Sequence, residues 1–258
     1  MSESAPMPGA PGPRRRALIT GGSGGIGLAC GRLLVEGGYD VVLCARRPEP
    51  LAKAAVEIGA RWHAADCADE VAFAEVVAEA GPIDFLVHAA GMMAGTFVRK
   101  EEPAMFDRIL RTNLRSAYVA AAACLPVMKP GSRLVFLSSS AAHAPQPGRA
   151  AYSASKAALG AFASSLALEV ERDGIAVHLV TPAPVATAML DDVHFPMMSL
   201  DAEDVAKAVV WLDQLSCSVV LPELRLRSVE RGPFAPEPFV PAVARALGRT
   251  EPWPAGSQ

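Results

Sequence analysis

The chain has 258 residues, of which 51% are hydrophobic and 20% charged, and its formal net charge is −3. This length and apolar content suit one compact domain with a large core. The small net charge argues against a nucleic-acid partner, and the basic cluster Arg14-Arg15-Arg16 is more typical of a solvated lead-in to the first strand.

The apolar runs and the cysteines restrict the cellular setting. No apolar run approaches the ~20 residues of a membrane span, so we expect no membrane partner. The five cysteines are odd in number and form no CxxC pair, which favours buried, reduced thiols over disulfides or metal ligands. We therefore predict a cytoplasmic protein without a metal site.

Apolar segments of strand length alternate with longer amphipathic segments. The predicted strands cover 16–20, 40–45, 60–64, 83–88, 132–138 and 175–181, and a last strand is expected in 218–229, at Ser218-Val219-Val220-Leu221 with a short continuation. The predicted helices cover 25–37, 49–58, 68–80, 103–112, 114–129, 152–171 and 202–215. This alternation predicts an α/β fold, a Rossmann-type doubly wound parallel sheet of about seven strands with helices on both faces.

The ends of the chain differ in composition from its middle. Residues 1–13 are rich in Pro, Gly, Ser and Ala and are predicted to be disordered, and 232–258 form a proline-rich tail. The single domain is therefore placed at 14–231. Within it, 188–200 are apolar without clear periodicity; we interpret them as a lid over a ligand site, the alternative being an ordinary surface excursion.

A glycine-rich segment, Thr20-Gly21-Gly22-Ser23-Gly24-Gly25-Ile26-Gly27, follows the first predicted strand and opens the first helix. Glycines let the backbone approach a pyrophosphate, and a helix N-terminus supplies free N–H groups. The alternative is a flexible glycine turn, but the flanking strand and helix favour dinucleotide binding.

The end of the second predicted strand indicates which dinucleotide binds. An NAD site usually has a carboxylate there, whereas this strand ends Leu43-Cys44-Ala45-Arg46-Arg47. Arg46 is suited to pair with a 2′-phosphate and to stack on adenine. We therefore predict NADP(H) over NAD(H), the alternative being that both arginines are solvated turn residues.

Tyr152 and Lys156 are four residues apart in the predicted helix 152–171, so their side chains project from one face. A nearby cation lowers the pKa of a tyrosine from its usual value near 10, and such a tyrosine exchanges protons with a carbonyl or an alcohol. With a hydride carrier, this pair indicates carbonyl reductase chemistry. The alternative is two core residues with snorkelling polar ends.

With these motifs the chain resembles the short-chain dehydrogenase/reductase family, in its short single-domain branch. The matching motifs occur in family order from Arg16 to Val229: the glycine loop Thr20–Gly27, Asp66 with Cys67, His88-Ala89-Ala90-Gly91 in place of NNAG, Asn113, Ser139, Tyr152-x-x-x-Lys156, and Pro182–Thr187. Ser139 is chosen from Ser138-Ser139-Ser140 because the family's serine lies thirteen residues before its tyrosine.

The resemblance implies a role for each matching residue. Hydride passes between the nicotinamide and a carbonyl carbon, Tyr152 exchanges the proton, Ser139 positions the oxygen, Lys156 holds the ribose and depresses the Tyr152 pKa, and Asn113 binds a water leading to solvent. The implied cofactor-binding residues are Gly21, Ser23, Gly25, Ile26, Gly27, Arg46, Arg47, Asp66, Cys67, Ala90, Gly91, Tyr152, Lys156, Pro182, Val185 and Thr187.

The chain departs from the family pattern in three places. His88 and Ala89 replace two asparagines, Ala183-Pro184 replaces a glycine-containing segment after Pro182, and the C-terminus lacks the usual Gly-Gly pair. We expect the first change to alter hydrogen bonding between strands, and the second to shift the nicotinamide or narrow the pocket. The family forms homodimers or homotetramers, and small side chains in 114–129 and 152–171 suit a helix-packed dimer.

The expected substrate pocket is mostly apolar, which suits a hydrophobic ketone or secondary alcohol. Its predicted lining residues are Met92, Met93, Phe97, Ala141, His143, Gln146, Met189, Leu190 and Phe195. Two alternatives are an epimerase or dehydratase on the same fold, and a non-catalytic nucleotide sensor. The joint presence of Ser139, Tyr152 and Lys156 favours an enzyme.

Overall fold

The structure is a computed structural model that describes residues 14–187, 199–216 and 219–228. The predicted disordered N-terminus, the C-terminal tail and all but the last two residues of the predicted lid lie outside these ranges.

A parallel sheet of seven strands forms the centre, in the order β3-β2-β1-β4-β5-β6-β9. Its strands are β1 (Arg16–Thr20), β2 (Asp40–Ala45), β3 (Arg61–Ala64), β4 (Phe85–His88), β5 (Arg133–Leu137), β6 (Ala176–Pro182) and β9 (Glu223–Leu226). A separate two-stranded ladder pairs β7 (Val185–Ala186) with β8 (Leu200–Asp201). The doubly wound parallel sheet of about seven strands is confirmed.

Seven α-helices accompany the sheet in the described residues: α1 (Gly25–Glu36), α2 (Pro48–Ile58), α3 (Glu70–Ala80), α4 (Pro103–Leu110), α5 (Ser116–Cys124), α6 (Ala150–Val170) and α7 (Ala202–Trp211). Apolar side chains of α1, α2 and α7 cover one face of the sheet. Those of α3, α5 and α6 cover the other. Both faces of the central strands are therefore dry, which explains their uninterrupted apolar sequences.

The helix predicted at 114–129 is more divided than its sequence indicates. Arg111–Arg115 form a π-helical turn between α4 and α5, and Leu125–Val127 form a 3₁₀ turn after α5. Pro126 lies in that 3₁₀ turn and lacks the N–H that an α-helix needs. Propensity alone gives no signal for the π-helical turn, because its residues are ordinary helix formers.

The last strand also begins later than predicted. Strand β9 starts at Glu223, which pairs with Leu179 of β6, whereas Val219–Leu221 precede the strand. The Leu221 carbonyl accepts from His178 Nδ1 at 3.1 Å instead of joining a ladder, and Pro222 follows. The apolar run therefore identified the neighbourhood of the strand but not its register.

Parallel strands bring the glycine loop and the predicted catalytic residues to one edge of the sheet, at the carboxyl ends of the strands. Ligands bind at this edge in doubly wound sheets. Among the residues described, no helix combines the length and the apolar character needed to cross a bilayer.

Candidate active site

The glycine loop is packed so closely that side chains are excluded at two of its positions, Gly21 and Gly27. Gly21 has φ of 69°, and a Cβ there would lie 2.8 Å from the Ala89 carbonyl carbon. A Cβ on Gly27 would lie 2.5 Å from the Gly21 oxygen. The loop is thereby held against the end of β4, with α1 beginning at Gly25.

The start of α1 suits a phosphate group. Gly24 precedes the helix without a side-chain cap, no acidic residue lies in the first turn, and a Cβ on Gly24 would meet open space. The first N–H groups of a helix have no partner within the helix, and they attract anions. The predicted loop residues Gly21, Ser23, Gly25, Ile26 and Gly27 therefore form a cradle that fits a dinucleotide's pyrophosphate.

The predicted adenine end lies at the next two strands of the sheet. Arg46 and Arg47 are exposed just after β2. The positive charge of Arg46 acts on both Asp66 and Cys67, which places these three residues in one neighbourhood. An exposed cation at this position, with no carboxylate ending the strand, suits a 2′-phosphate.

Asp66 is held in its charged form by its neighbours. Partial burial opposes this, but the backbone N–H of Ala68 at 3.0 Å and the guanidinium of Arg111 at 3.0 Å lower the Asp66 pKa, with Arg46 adding to them. Arg111 comes from the π-helical turn. Sequence reasoning missed it, although its position two residues before Asn113 places it at this edge of the sheet.

Ser139, Tyr152 and Lys156 converge where β5 ends and α6 begins. The Ser139 hydroxyl hydrogen-bonds the Tyr152 phenol. The Lys156 Nζ donates to the Leu137 carbonyl at 2.7 Å, and the Ser138 hydroxyl donates to the Lys156 carbonyl at 3.1 Å. Ser138 thus joins α6 to the segment that follows β5 and contains Ser139.

The pKa of Tyr152 differs in direction from the sequence-based expectation. Burial of the phenol raises it, because only 7% of the residue is exposed. The Ser139 hydrogen bond and the charge of Arg149 oppose this without reversing it. The expectation that Lys156 depresses this pKa is therefore wrong for the protein alone.

Lys156 is itself perturbed. Burial lowers its pKa to about 8, since a desolvated ammonium is disfavoured. Its described hydrogen-bond partner is a neutral carbonyl, so no counter-ion offsets the desolvation. Lys156 is a cation near neutral pH and becomes neutral at a pH that is easily reached in solution.

Asn113 lies in the middle of the π-helical turn and is fully buried. Its Oδ1 accepts from the Met92 N–H at 2.7 Å, and its Nδ2 donates to the Met92 carbonyl and to the Ser155 Oγ, both at 3.0 Å. A Cβ on Gly91 would lie 3.4 Å from Asn113 Oδ1 and 3.5 Å from Lys156 Nζ. Gly91 therefore lies directly beside both side chains.

A family model described as short chain dehydrogenase matches residues 15–195. The chain belongs to the short chain dehydrogenase family. It is accordingly an oxidoreductase that acts on CH–OH and C=O groups.

Two curated relatives and one solved structure show the range of the match. A 3-dehydrosphinganine reductase of Arabidopsis thaliana is 36% identical over 185 residues, 67% of this chain, which spans only 56% of that relative. A 3-oxoacyl-(acyl-carrier-protein) reductase of Rattus norvegicus is 35% identical over 210 residues, 75% of this chain and 89% of the relative. A short chain dehydrogenase from Burkholderia cenocepacia J2315 in complex with NADP has a TM-score of 0.75 and 30% identity, covering 83% of this chain and 95% of that one.

The segment after β6 departs from the short chain dehydrogenase pattern but is firmly anchored. The Ala183 N–H donates to the Leu226 carbonyl at 2.7 Å, and the Pro184 carbonyl accepts from the Leu200 N–H at 2.8 Å. Thr187 reaches the glycine loop, with its Cγ2 3.2 Å from the position of a Cβ on Gly25. Thr187, of the predicted residues Pro182, Val185 and Thr187, thus lies beside the glycine loop.

The predicted substrate pocket is described only in part. Met189, Leu190 and Phe195 lie outside the described residues. Phe97 is 54% exposed, and His143 Nε2 pairs with Glu223 Oε1 at 2.6 Å. His143 therefore bonds to the last strand.

Arg149 is a further residue of the site that sequence reasoning missed. It precedes α6 and lies three residues before Tyr152. Its charge acts on the phenol, and no described acid lies within ion-pairing distance of its guanidinium. Its spacing from Tyr152, close to one helical turn, was a signal that could have identified it.

Proposed function

We propose that the protein is an NADP(H)-dependent reductase that transfers hydride between the nicotinamide and the carbonyl or secondary alcohol carbon of a small hydrophobic substrate. The observation that carries this proposal is the meeting of Ser139, Tyr152 and Lys156 at the edge of the sheet that also holds the glycine cradle. A protein that only sensed nucleotides would need the cradle but not these three side chains.

Tyr152 and Ser139 have different proposed roles at the oxygen of the reacting carbonyl. The nicotinamide, when bound, supplies or takes up the hydride. Tyr152 donates its phenolic proton to the oxygen as negative charge develops, and Ser139 hydrogen-bonds and orients the same oxygen. Burial keeps Tyr152 protonated in the protein alone, so it begins a reduction as an acid.

Lys156 and Asn113 support the proton donor from the side of Gly91. Lys156 is positioned to hold the nicotinamide ribose, and its charge would stabilise the phenolate left after proton transfer. Asn113, fixed by Met92 and Ser155, would hold the water through which the proton is replaced. The position of both side chains beside Gly91, at the end of β4, supports both roles.

The cofactor preference rests on the end of β2. Arg46 and Arg47 are exposed there, no carboxylate ends the strand, and the structure of a family member with NADP supports the same choice. Asp66 would meet the adenine, with Cys67, Ala90 and Gly91 lining the path towards the nicotinamide. Val185 and Thr187 would orient the carboxamide.

The substrate is proposed to be apolar around its carbonyl group. Met92 and Met93 follow Gly91 directly and are partly exposed, and a flexible thioether side chain adapts to varied apolar shapes. Two of the relatives are named as reductases of 3-dehydrosphinganine and of a 3-oxoacyl group on acyl carrier protein. We infer that this chain acts on a ketone with an apolar substituent.

The chain is also proposed to form a homodimer through α5 and α6. Tyr118 and Leu168 are 54% and 76% exposed on these helices, next to small residues that permit close helix packing. We place the protein in the cytoplasm because its four described cysteines are buried and free.

Replacement of Tyr152 by Phe tests the proposed reaction. Reduction of aryl ketones and β-keto esters by NADPH should fall at least about a thousandfold, because the proton donor is lost while the ring still fills its place. NADPH binding, followed by nucleotide fluorescence, should stay within about threefold of the original. Retained turnover would overturn the acid role, and an original protein that binds NADPH without reducing any ketone would support a sensor.

A further inference from the structure

His88 stands where the family has an asparagine, and the structure gives its ring two buried partners. It ends β4 and is 1% exposed. Its Nδ1 lies 2.9 Å from the Thr20 Oγ1, and its Nε2 lies 3.0 Å from the Ser116 Oγ. The ring thus spans from the last residue of β1 to the first residue of α5.

The hydrogen positions on His88 follow from the hydrogen bonds that its two partners make. The Ser116 hydroxyl donates to the Thr112 carbonyl at 2.6 Å, so it must accept the proton of His88 Nε2. The unprotonated Nδ1 then accepts from the Thr20 hydroxyl, whose oxygen accepts from the Ala90 N–H at 3.2 Å. Every donor in this hydrogen-bond network therefore has one acceptor, and the network fixes the His88 tautomer.

The imidazole is neutral at working pH. Burial, followed by the charge of Lys156, lowers the His88 pKa to about 3. Protonation of His88 would put a second donor on Thr20, so the arrangement requires the neutral ring.

The two ends of this hydrogen-bond network, Thr20 and Ser116, lie in different parts of the site. Thr20 immediately precedes Gly21, and both it and the loop pack on residues 89–90. At the other end, the π-helical turn directs the Ser116 N–H to the Arg111 carbonyl. The Thr112 carbonyl, next to Asn113, is therefore left to the Ser116 hydroxyl.

We propose that His88 is a positioning residue with two separable duties: its Nδ1 sets the glycine loop through Thr20, and its Nε2 sets the Asn113 turn through Ser116. The inference rests on the proposed function, because cofactor affinity and turnover are what the two duties serve. An asparagine can reach only one of these partners, so the substitution gives this chain a link between loop and turn that the asparagine lacks.

Two conservative variants separate the duties. The amide of Asn occupies the place of Nδ1, so His88→Asn keeps the bond to Thr20 and loses that to Ser116. The longer Gln places its amide near Nε2, so His88→Gln keeps the bond to Ser116 and loses that to Thr20. Thr20→Val and Ser116→Ala remove the same partners one at a time while His88 remains.

The measurements are the NADPH dissociation constant from nucleotide fluorescence, and kcat at saturating NADPH with the best ketone of an aryl ketone and β-keto ester panel. His88→Gln and Thr20→Val should weaken NADPH binding about tenfold with kcat within about twofold. His88→Asn and Ser116→Ala should lower kcat about tenfold with NADPH binding within about twofold. His178→Gln, a buried histidine at the other end of the sheet, should change neither quantity.

The crossed pattern distinguishes positioning from simple support of the fold. If all four variants lose stability to urea but change both quantities in parallel, or neither, His88 is only structural and the inference is overturned. If His88→Gln fails to fold, Thr20→Val and Ser116→Ala still give the same test. An original protein that binds no NADPH, or reduces no ketone of the panel, would overturn the proposed function, and the inference would fall with it.

Discussion

Arg149 places a positive charge near Tyr152, the proposed proton donor. It lies three residues before Tyr152, and its charge lowers the phenol pKa against the effect of burial. Arg149 is therefore placed to stabilise the Tyr152 phenolate that forms as the proton leaves.

Replacement of Arg149 by Met should move the alkaline limb of the reduction pH profile to higher pH. The phenol must be protonated to act as an acid, and removal of a cation raises its pKa, so the protonated form persists further into the alkaline range. The profile of kcat against pH measures this. Arg172→Met, just beyond the other end of α6, is the matched control and should leave the limb in place. An unmoved limb in Arg149→Met would contradict the assignment.

Replacement of Arg46 tests the preference for NADPH over NADH. Replacement by Ala should weaken NADPH binding at least about tenfold while NADH binding changes by less than about threefold, because only NADPH has the 2′-phosphate. Fluorescence titration of both nucleotides measures the ratio. If both affinities fell equally, Arg46 would be acting on a part that the two nucleotides share.

Glu223 is the residue through which strand β9 joins the site. Its carboxylate accepts from the Thr181 hydroxyl of β6 at 2.7 Å and from His143 Nε2 at 2.6 Å, while Arg225 pairs with its second oxygen. Burial opposes the charge, but these donors lower the Glu223 pKa to about 2. The ionised carboxylate therefore ties the segment after β5 to the last strand.

The acid stability of this tie can be predicted with its sign. The folded-state pKa lies below the unfolded value of 4.5, so the contribution is complete above 4.5 and is lost as pH falls through about 2. Glu223→Gln should lower the unfolding free energy by at most about 1 kcal/mol near neutral pH, because the group lies at the surface. The difference should shrink below pH 4.5 in urea titrations. Glu75→Gln, on the exposed side of α3, should show no such pH-dependent difference.

Helices and strands could be predicted from the sequence where a local pattern of apolar residues determines them. Strands β1 and β2 have the predicted bounds, since each is an unbroken apolar run between turn residues. The π-helical turn at Arg111–Arg115 and the start of β9 were not predicted, because each depends on partners distant in sequence. Strand β9 lies at the edge of the sheet, so its side chains need not be apolar and its pattern is weak.

The site shows the same division between local spacing and tertiary contact. The Tyr152–Lys156 spacing and the glycine loop could be found in the sequence because each lies within one element. The direction of the Tyr152 pKa could not, because burial and the direction of the Lys156 side chain are tertiary facts. His143 was likewise assigned to a pocket before its bond to Glu223, distant in sequence, was visible.

The proposed catalytic residues and a buried charged cluster lie at opposite ends of the parallel strands, which are called the carboxyl edge and the amino edge of the sheet. The carboxyl edge carries the glycine loop, Ser139 and Tyr152. The amino edge carries Arg133, the first residue of β5, whose side chain is 2% exposed. It bonds His178 at 3.1 Å and the Leu215 and Ser216 carbonyls, joining β5 and β6 to the residues after α7.

Asp213 extends this amino-edge cluster to the beginning of the chain. Its carboxylate accepts two bonds from Arg15, at 2.7 and 2.9 Å, and one from the Tyr39 hydroxyl, and lies 3.9 Å from the Arg133 Nε. Burial, followed by the bond to Asp213, raises the pKa of Tyr39, so its hydroxyl remains a donor. The cluster thus consists of the buried cation Arg133 and the carboxylate of Asp213, which also pairs with the exposed Arg15.

Replacement of Arg133 by Met should lower the free energy of unfolding by about 3 kcal/mol, because one buried and two partly buried acceptors lose a charged donor at once. Arg15→Met removes the exposed partner of the same Asp213 and should cost at most about 1 kcal/mol. Urea denaturation measures both. NADPH binding to the folded Arg133→Met protein should stay within about twofold, since the cradle lies at the other edge of the sheet. An equal cost for both variants would show that Asp213, rather than the buried cation, holds the amino edge together.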